Sequence, residues 1–483
     1  MQYRYIVLIN TTIGAFISQL DANIVLISLP TILRQLPGTP TFYGIWIIMG
    51  YTLVTATVLL TIGRLGDIFG RVKLYNLGFA IFTIGSGLCS IAPNGLFLVS
   101  MRFVQGLGAA LIWSNNAAIL TDVFPATERG RALGINQVAG VTGSILGLVA
   151  GGVLTTFLGW RSIFWINLAP GVFATVWAYL KLKDLNPHLK GEKREKLDPL
   201  GNILFGVGLT SFLVGLTLGA LGGWQETDIL LMVAGIGMLA AFGYVETRVE
   251  NPMMDVHLFR LRAFTAGAIA NLLTSISRSS IFLILIFYFQ GALLYDAFTA
   301  GILLLPFSVA FVIVGPLSGA LSDRFGPRVF ASAGLVLTAI ALFLFAMLPY
   351  KVPYPILAIP MVITGIGGGL FFAPNVAAIM NAVPPARRGV ASGVSSMLFN
   401  VGSLVSLGLV FAIFGATVPL SSLQAIFAGL TPPAGSLSIS LFIGAMHHAF
   451  LILGVISLIA AIPASQTGRR PKETIIYVAT DSP

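Results

Sequence analysis

The sequence predicts an all-α polytopic membrane protein with fourteen transmembrane helices, arranged as two pseudo-symmetric six-helix bundles plus two inserted helices. Three observations support this fold class. The 483-residue chain is 56% hydrophobic and only 9% charged, whereas soluble domains carry about 25% charged residues. Its apolar runs are continuous and long enough to span a bilayer, unlike the alternating pattern of a β-barrel. A hydrophilic loop at residues 63–73 returns in reduced form at residues 319–328.

Fourteen apolar runs are long enough to cross a bilayer, and each predicts one span. The predicted spans are residues 5–33, 43–63, 74–92, 96–121, 132–157, 161–181, 200–222, 229–246, 263–289, 298–320, 329–349, 354–380, 389–415 and 444–463. The uncharged stretch 417–441 is expected to be an outward loop that includes a short surface helix.

The basic residues fall mostly on one side of the predicted membrane. The N-terminal segment, the loops after even-numbered spans and the C-terminus hold 22 of the 27 Lys and Arg residues, and the other side holds three. This asymmetry follows the positive-inside rule, so both termini are expected in the cytoplasm of a cell (plasma or inner) membrane. Contacts with anionic lipid then account for the net charge of +10, and no nucleic-acid partner is expected.

An internal repeat divides the chain. The two hydrophilic loops begin 256 residues apart, and Arg129 and Gly130 match Arg388 and Gly389 at a separation of 259. Matching elements keep the same membrane orientation, which indicates a parallel repeat of two six-helix halves. The predicted domains are an N-terminal bundle (1–185), a charged cytoplasmic linker (186–199), two inserted helices (200–250), a C-terminal bundle (251–465) and a cytoplasmic tail (466–483).

Several motifs resemble the major facilitator superfamily, in its fourteen-helix drug:proton antiporter branch. The resemblance covers about residues 5–465. It rests on the loop 63–73, on the first-span run 20–25 that ends at Pro30, on Arg102 with the run 105–110, on residues 159–167 and on residues 250–252. It implies two bundles that rock around a central cavity, driven by a proton gradient.

Asp21 is the only carboxylate in the middle third of any predicted span. An ionised Asp at mid-bilayer costs about 2.5–3.5 kcal/mol on insertion scales, and desolvation favours its neutral form. Such a carboxyl, exposed alternately to two sides, suits proton coupling, which is also the role that the resemblance implies for Asp21 and for Arg102. The alternatives are a structural Asp21 locked by hydrogen bonds or an ion pair, and an Arg102 that snorkels or binds carbonyls of a neighbouring helix.

Arg278 lies mid-way along the ninth predicted span, where the family pattern does not require a charge. It is 257 residues from Asp21, which makes the two residues pseudo-symmetric mates. If both line the cavity, they face each other across it, and the cavity is then close to neutral. That arrangement leaves room for anionic or zwitterionic substrates. The alternative is an Arg278 held by an acid or by backbone elsewhere.

Two further groups of residues are assigned from pattern and resemblance. The hydrophilic loops are expected to latch the bundles in one state and release them in another, or to serve only as topological charge loops. The predicted gating residues are Gly63, Asp67, Gly70, Arg71, Asp323 and Arg328. Small residues spaced about one turn apart in the fifth span, namely Gly143, Gly147, Gly151 and Gly152, are expected to let a neighbouring helix approach closely. This run resembles the antiporter motif of the branch, with Leu148 at the proline position.

Polar residues within the spans are candidates for the lining of a substrate cavity, although each is also suited to an interhelical hydrogen bond. They are Gln19, Asn23, Asn115, Asn116, Asn136, Gln137, Asn271, Ser275, Arg278, Asn375 and Asn400. The sequence contains no phosphate-binding loop, Cys/His cluster or catalytic triad. It therefore predicts no enzyme, no catalytic residue, no cofactor and no metal site.

The function that these observations favour is proton-coupled export of amphipathic small molecules by alternating access. Protonation of Asp21 from outside would release the substrate, and deprotonation inside would reset the site. One alternative is a proton-linked carrier of an organic anion or metabolite, motivated by Arg278. Another is a membrane sensor or scaffold that does not transport. The expected partners are a small-molecule substrate, protons and membrane lipid, and the expected state is a monomer.

Overall fold

A computed structural model of the chain describes residues 2–125, 128–183, 198–249, 252–384 and 387–467, with the side chains of Asp67 and Asp323 excepted. Within these ranges the secondary structure is helical. The helices are α1 (Tyr3–Gln35), α2 (Thr41–Phe69), α3 (Arg71–Ser90), α4 (Gly95–Val123), α5 (Arg129–Leu158), α6 (Ser162–Trp165), α7 (Leu168–Lys181), α8 (Pro199–Gly222), α9 (Glu226–Glu246), α10 (Arg262–Arg278), α11 (Ile281–Ile286), α12 (Ala297–Leu303), α13 (Leu305–Phe325), α14 (Pro327–Met347), α15 (Tyr354–Asn381), α16 (Arg388–Thr417), α17 (Leu420–Phe427) and α18 (Ser436–Ala464).

Fourteen spans are long and apolar enough to cross a membrane in the part of the chain that the structure describes, which confirms the predicted fold class. Three spans are interrupted rather than continuous. Helices α6 and α7 form one span, α12 and α13 form another, and α10 and α11 continue into a π-helix at Phe287–Ala292 to form the third. The interruption of this third span falls directly after Arg278, at Ser279 and Ser280.

The repeat is visible in matching backbone details of the two halves. Gly70 and Gly326 end α2 and α13 with φ angles of 103° and 89°, a region that favours glycine because it lacks a Cβ. In both turns the glycine amide donates to a carbonyl four residues earlier. We call the membrane side that carries these two turns the basic face and the other side the opposite face.

The inserted helices are packed against both halves. Helices α8 and α9 pair with each other, and α8 also packs against α2 and α16. Trp46 Nε1 of α2 donates to Thr217 Oγ1 at 3.3 Å. At the end of α9, the Glu246 carboxylate accepts the backbone amides of Met253 at 3.2 Å and Met254 at 2.7 Å. Helix α8 therefore lies along the junction between the two bundles.

The halves also meet near the opposite face. Gln290 Nε2 in the π-helix donates to the Ile27 carbonyl of α1 at 2.8 Å. The Phe298 amide donates to Thr156 Oγ1 of α5 at 3.2 Å, and the rings of Phe298 and Phe157 lie 6.0 Å apart. We call this set of contacts the opposite-face closure, because it joins the first bundle to the second at the ends of the helices furthest from the basic face.

The segment between the last two spans contains the short helix that the sequence predicted. Helix α17 keeps Leu420, Ser421 and Gln424 exposed and packs its other face against the protein. Leu423, Ile426 and Phe427 are buried, and the Phe427 ring stacks on Phe287 of the π-helix at 4.1 Å. Burial of this apolar face against the ninth span explains why a stretch with no charge is ordered.

Close packing between α1 and α5 makes a testable prediction about stability. A Cβ added at Gly147 would lie 2.6 Å from the Leu20 carbonyl oxygen of α1, whereas a Cβ at Gly134 of α5 has no atom within 4 Å. Overpacking of this kind costs about 1–3 kcal/mol. We expect Gly147→Ala to lower the unfolding temperature of the purified protein and Gly134→Ala to leave it unchanged. Equal unfolding temperatures for the two variants would contradict this packing.

Candidate functional site

The carboxylate of Asp21 is the centre of a buried polar site in the N-terminal half. Its side chain is 0% exposed. Oδ2 accepts Arg102 Nη1 at 2.6 Å, while Oδ1 accepts Gln105 Nε2 at 2.9 Å and Asn167 Nδ2 at 2.7 Å. An ionised carboxylate has acceptors only, and all three neighbours donate to it. The site therefore suits a charged Asp21 in the conformation described.

Arg102 is held from several directions as well. Its side chain is 2% exposed. Nε donates to the Ile47 carbonyl of α2 at 3.1 Å, and Nη1 also donates to Gln105 Oε1 at 2.7 Å. The guanidinium lies 4.4 Å from the centroid of the Tyr51 ring, within the range of a cation–π interaction. The two opposite charges are thus neutralised against each other and against neutral dipoles.

Secondary structure explains how these groups meet. Arg102 and Gln105 are three residues apart and therefore share one face of α4. Asn167 lies in the interruption between α6 and α7, and Ser86 Oγ of α3 accepts Nδ2 of Asn167 at 3.2 Å and Nε2 of Gln105 at 3.3 Å. We call Asp21, Arg102, Gln105, Asn167, Ser86 and Tyr51 the Asp21 cluster. It links α1, α2, α3, α4 and the α6–α7 break.

The sequence identified Asp21 and Arg102 as functional candidates but did not pair them. Gln105 and Asn167 appeared only as residues of family-like motifs, and Ser86 and Tyr51 were missed. An amide inside an apolar run is the signal that would have drawn attention to Gln105 and Asn167. Asp21 does not face Arg278 as suggested, because the Asp21 carboxylate oxygens accept hydrogen bonds from residues of the N-terminal half.

Arg278 lies in the C-terminal half, in a recess between α10, α13 and α15. Its guanidinium is 5.4 Å from the Phe307 ring centroid and 5.7 Å from that of Phe311. A Cβ added at Gly368 of α15 would overlap the guanidinium. The residue is partly exposed, unlike Asp21 and Arg102.

The predicted cavity residues separate into two groups. Four buried residues form hydrogen bonds between helices. Asn116 donates to the Thr11 carbonyl at 2.8 Å, and Asn375 donates to the Gly267 carbonyl at 3.2 Å. Asn271 donates to Ser395 Oγ at 3.0 Å, and Ser275 donates to the Phe399 carbonyl at 2.5 Å. Asn115 donates to the Leu111 carbonyl of its own helix at 2.9 Å, and Asn136 is buried. Gln19, Asn23, Gln137 and Asn400 retain exposed surface, and Asn23 donates to Ser144 Oγ at 2.9 Å. The second group, with Arg278, is the more accessible to a ligand.

The predicted gating residues lie at the basic face. Arg71 Nη1 donates to both carboxylate oxygens of Asp122 at 2.9 Å, which ties α3 to α4 within one half. Arg64 donates to the Pro252 carbonyl and so connects the first loop to the segment before α10. Gly63, Gly70 and Arg328 belong to the two repeated loops, and the side chains of Asp67 and Asp323 lie outside the described part. A latch between the halves stays a prediction.

The glycines of α5 face two different neighbours. Added Cβ atoms at Gly143, Gly147 and Gly151 would press on the Phe16, Leu20 and Ile24 carbonyls of α1. A Cβ at Gly152 would lie 2.6 Å from the Ala297 carbonyl of α12, in the other half. Leu148 stands at the proline position, and α5 continues through it as one helix because no backbone amide is lost.

Comparison with known proteins identifies the family. The family model of the Major Facilitator Superfamily matches residues 11–249 and 267–475. The chain belongs to this superfamily. This confirms the predicted resemblance at the level of the superfamily. Two halves with matched turns, described above, are the architecture that such transporters share.

Relatives of known name are similar over most of their length. The riboflavin transporter RibZ of Clostridioides difficile (strain 630) is 31% identical over 411 residues, which are 85% of this chain and 88% of RibZ. The multidrug resistance protein Stp of Mycobacterium tuberculosis (strain CDC 1551 / Oshkosh) is 33% identical over 419 residues, or 86% of this chain and 76% of Stp. The chain is thus a multi-pass membrane transporter of this superfamily.

Solved structures agree with the fold. A bacterial homologue of the human lysosomal transporter Spinster, in an inward-facing and unoccupied conformation, aligns with a TM-score of 0.67 at 17% identity, covering 97% of this chain and 98% of that chain. At this identity the likeness concerns the fold of the superfamily and not its substrates.

The buried ion pair makes a prediction about stability. Removing one partner of a buried pair leaves an uncompensated charge and costs about 3–5 kcal/mol, whereas replacing both partners removes that penalty. We expect Arg102→Gln to lower the unfolding temperature more than the double variant Asp21→Asn/Arg102→Gln. Thermal unfolding of the purified variants measures this order. A double variant that is the least stable of the set would contradict the pairing.

Proposed function

We propose that this chain is a proton-driven transporter that exports amphipathic small molecules, with Asp21 as the proton-binding group. The observation that carries the proposal is the complete burial of the Asp21 carboxylate in an ion pair with Arg102. A proton added to Asp21 cancels one charge of the pair and leaves the Arg102 charge uncompensated. The residues of the Asp21 cluster then prefer a different arrangement, so binding of a proton shifts the helices that carry them.

The position of Asp21 on α1 connects this consequence to access. The Ile27 carbonyl, six residues further along α1, accepts Gln290 of the C-terminal half in the opposite-face closure. A shift of α1 that relieves the broken ion pair therefore acts on a contact between the two halves. A two-state element biased by protonation is what alternating access with proton coupling requires.

Two comparisons support the transport of amphipathic molecules. Stp is named a multidrug resistance protein and RibZ a riboflavin transporter, and both names refer to organic molecules. Export, proton drive and a cytoplasmic location of both termini are parts of the proposal. The charged loops of the basic face are proposed to gate the halves, and the accessible polar residues Gln19, Asn23, Gln137 and Asn400 to line the substrate path.

Asp296 offers a matched control, because it is an exposed acid outside the spans. Burial opposes the ionisation of Asp296, but hydrogen bonds, including those from the Thr299 amide at 2.9 Å and hydroxyl at 2.7 Å, together outweigh this and lower the pKa of Asp296. Its role is to cap α12, which an asparagine also performs.

Proteoliposomes with an imposed pH gradient test the proposal. The probes are two planar bicyclic ions of opposite charge, N-methylquinolinium and naphthalene-2-sulfonate, and an entrapped pH dye reports proton flux. We expect Asp21→Asn to abolish uphill movement and the accompanying proton flux while downhill exchange continues, and Asp296→Asn to behave as the unsubstituted protein. Uphill transport that persists undiminished in Asp21→Asn would refute the coupling role. Absence of any flux in the unsubstituted protein would favour a sensor or scaffold.

A further inference from the structure

Each half of the chain places an arginine beside an aromatic ring of its second span, but the two arginines come from different helices. Tyr51 and Phe307 are 256 residues apart, and each ring lies beside an arginine, at 4.4 Å from Arg102 and 5.4 Å from Arg278. In the first half that arginine extends from α4 towards Asp21 on α1. In the second half it extends from α10, the counterpart of α1. The repeat has thus kept an arginine beside the aromatic ring and changed the helix that supplies it.

The counterpart of Arg102 in the second half can be located from packing. Gly108 of α4 lies against Gly78 of α3, and Gly367 of α15 lies against Gly334 of α14 in the same manner. Gly108 and Gly367 are 259 residues apart, and at this spacing Met361 corresponds to Arg102 and Thr364 to Gln105. Met361 is fully buried and apolar. The second half therefore lacks any charged equivalent of the Asp21–Arg102 pair on α15.

The charge of Arg278 is left without a counter-charge. Among the described residues, no ion pair and no hydrogen bond is formed by its guanidinium, whose neighbours are the Phe307 and Phe311 rings and Gly368. A cation within a span is costly unless it is paired or hydrated. Rings above a guanidinium cover its face but leave its N–H groups free in its plane, where a planar anion binds in bidentate fashion.

An aromatic path leads to this recess. The Phe311 ring lies 6.4 Å from the Phe372 ring, which lies 6.3 Å from the ring of Phe399 on α16. Phe399 is 37% exposed. Arg278 itself lies about twelve residues before the opposite-face closure at Gln290, towards the basic face along the same span. An amphipathic molecule could therefore stack its rings along this row while its acidic group reaches Arg278.

We propose that Arg278, with Phe307, Phe311 and Gly368, forms a subsite for the acidic group of an aromatic organic anion, a carboxylate or a sulfonate. This inference rests on the proposed function and names the substrate class that the same transporter carries. The guanidinium lies 5.4 Å from the Phe307 ring and 5.7 Å from the Phe311 ring, and the missing side chain of Gly368 gives it room against α15. The anion supplies a negative charge, which the membrane spans of the second half lack.

Counterflow in proteoliposomes without a pH gradient tests the subsite, using naphthalene-2-sulfonate and N-methylquinolinium. We expect Arg278→Gln to reduce sulfonate exchange by roughly tenfold or more, since a charge-assisted hydrogen bond is lost. Quinolinium exchange should be unchanged or faster. Arg278→Lys keeps the charge but not the planar fork, so an intermediate loss is expected. Lys351→Gln is the matched control, because Lys351 also lies over an aromatic ring, that of Tyr350 at 5.6 Å, but is exposed and lies between two spans.

Each outcome of this experiment decides the proposal. If folded Arg278→Gln exchanges the sulfonate at the rate of the unsubstituted protein, Arg278 is a structural residue and the subsite is refuted. The same holds if the unsubstituted protein does not exchange the sulfonate at all. Counterflow needs no pH gradient, so it tests the anion subsite separately from proton coupling. If the subsite is refuted but a pH gradient still drives quinolinium movement in the same preparation, the proposed proton coupling stands.

Discussion

The ion pair between Asp21 and Arg102 is the interaction on which the N-terminal half depends. Both side chains are buried within membrane-spanning helices, where it is costly to leave either charge without its partner. Their mutual contact, together with Gln105, Asn167 and Ser86, joins α1, α2, α3, α4 and the α6–α7 break around one point. Desolvation makes such a pair costly to break, so any event that removes one of its charges forces the surrounding helices to find new partners.

The two halves share a backbone plan but differ in their charges. The turns at Gly70 and Gly326 and the glycine contacts between α3 and α4 and between α14 and α15 correspond closely. In the first half the charges cancel within the protein, whereas in the second half Arg278 is left as a partly exposed cation beside aromatic rings. Duplication therefore preserved the packing positions, where glycine is needed, and left the polar positions free to specialise.

The contacts between the halves are distributed unevenly. Near the opposite face, α1 and α5 meet the ninth and tenth spans through hydrogen bonds and the Phe157–Phe298 contact. On one side of the molecule, α8 packs on α2 and α16 together. Helix α8 of the inserted pair thus supports the junction between α2 and α16, whereas α1 and α5 contact the second half near the opposite face.

The sequence by itself determined the number of spans, the repeat and the family, because long apolar runs and spaced Gly and Asp residues are local signals. It also identified Asp21, Arg102 and Arg278 as unusual, since a charge in an apolar run needs no partner to be noticed. Only the tertiary structure decided that Asp21 pairs with Arg102 rather than facing Arg278, and that Asn167 and Ser86 complete the cluster. Those contacts join helices that are far apart in the chain. Close packing, such as that of Gly147 against Leu20, sets the rotation of each helix about its own axis. That rotation decides which polar side chains meet.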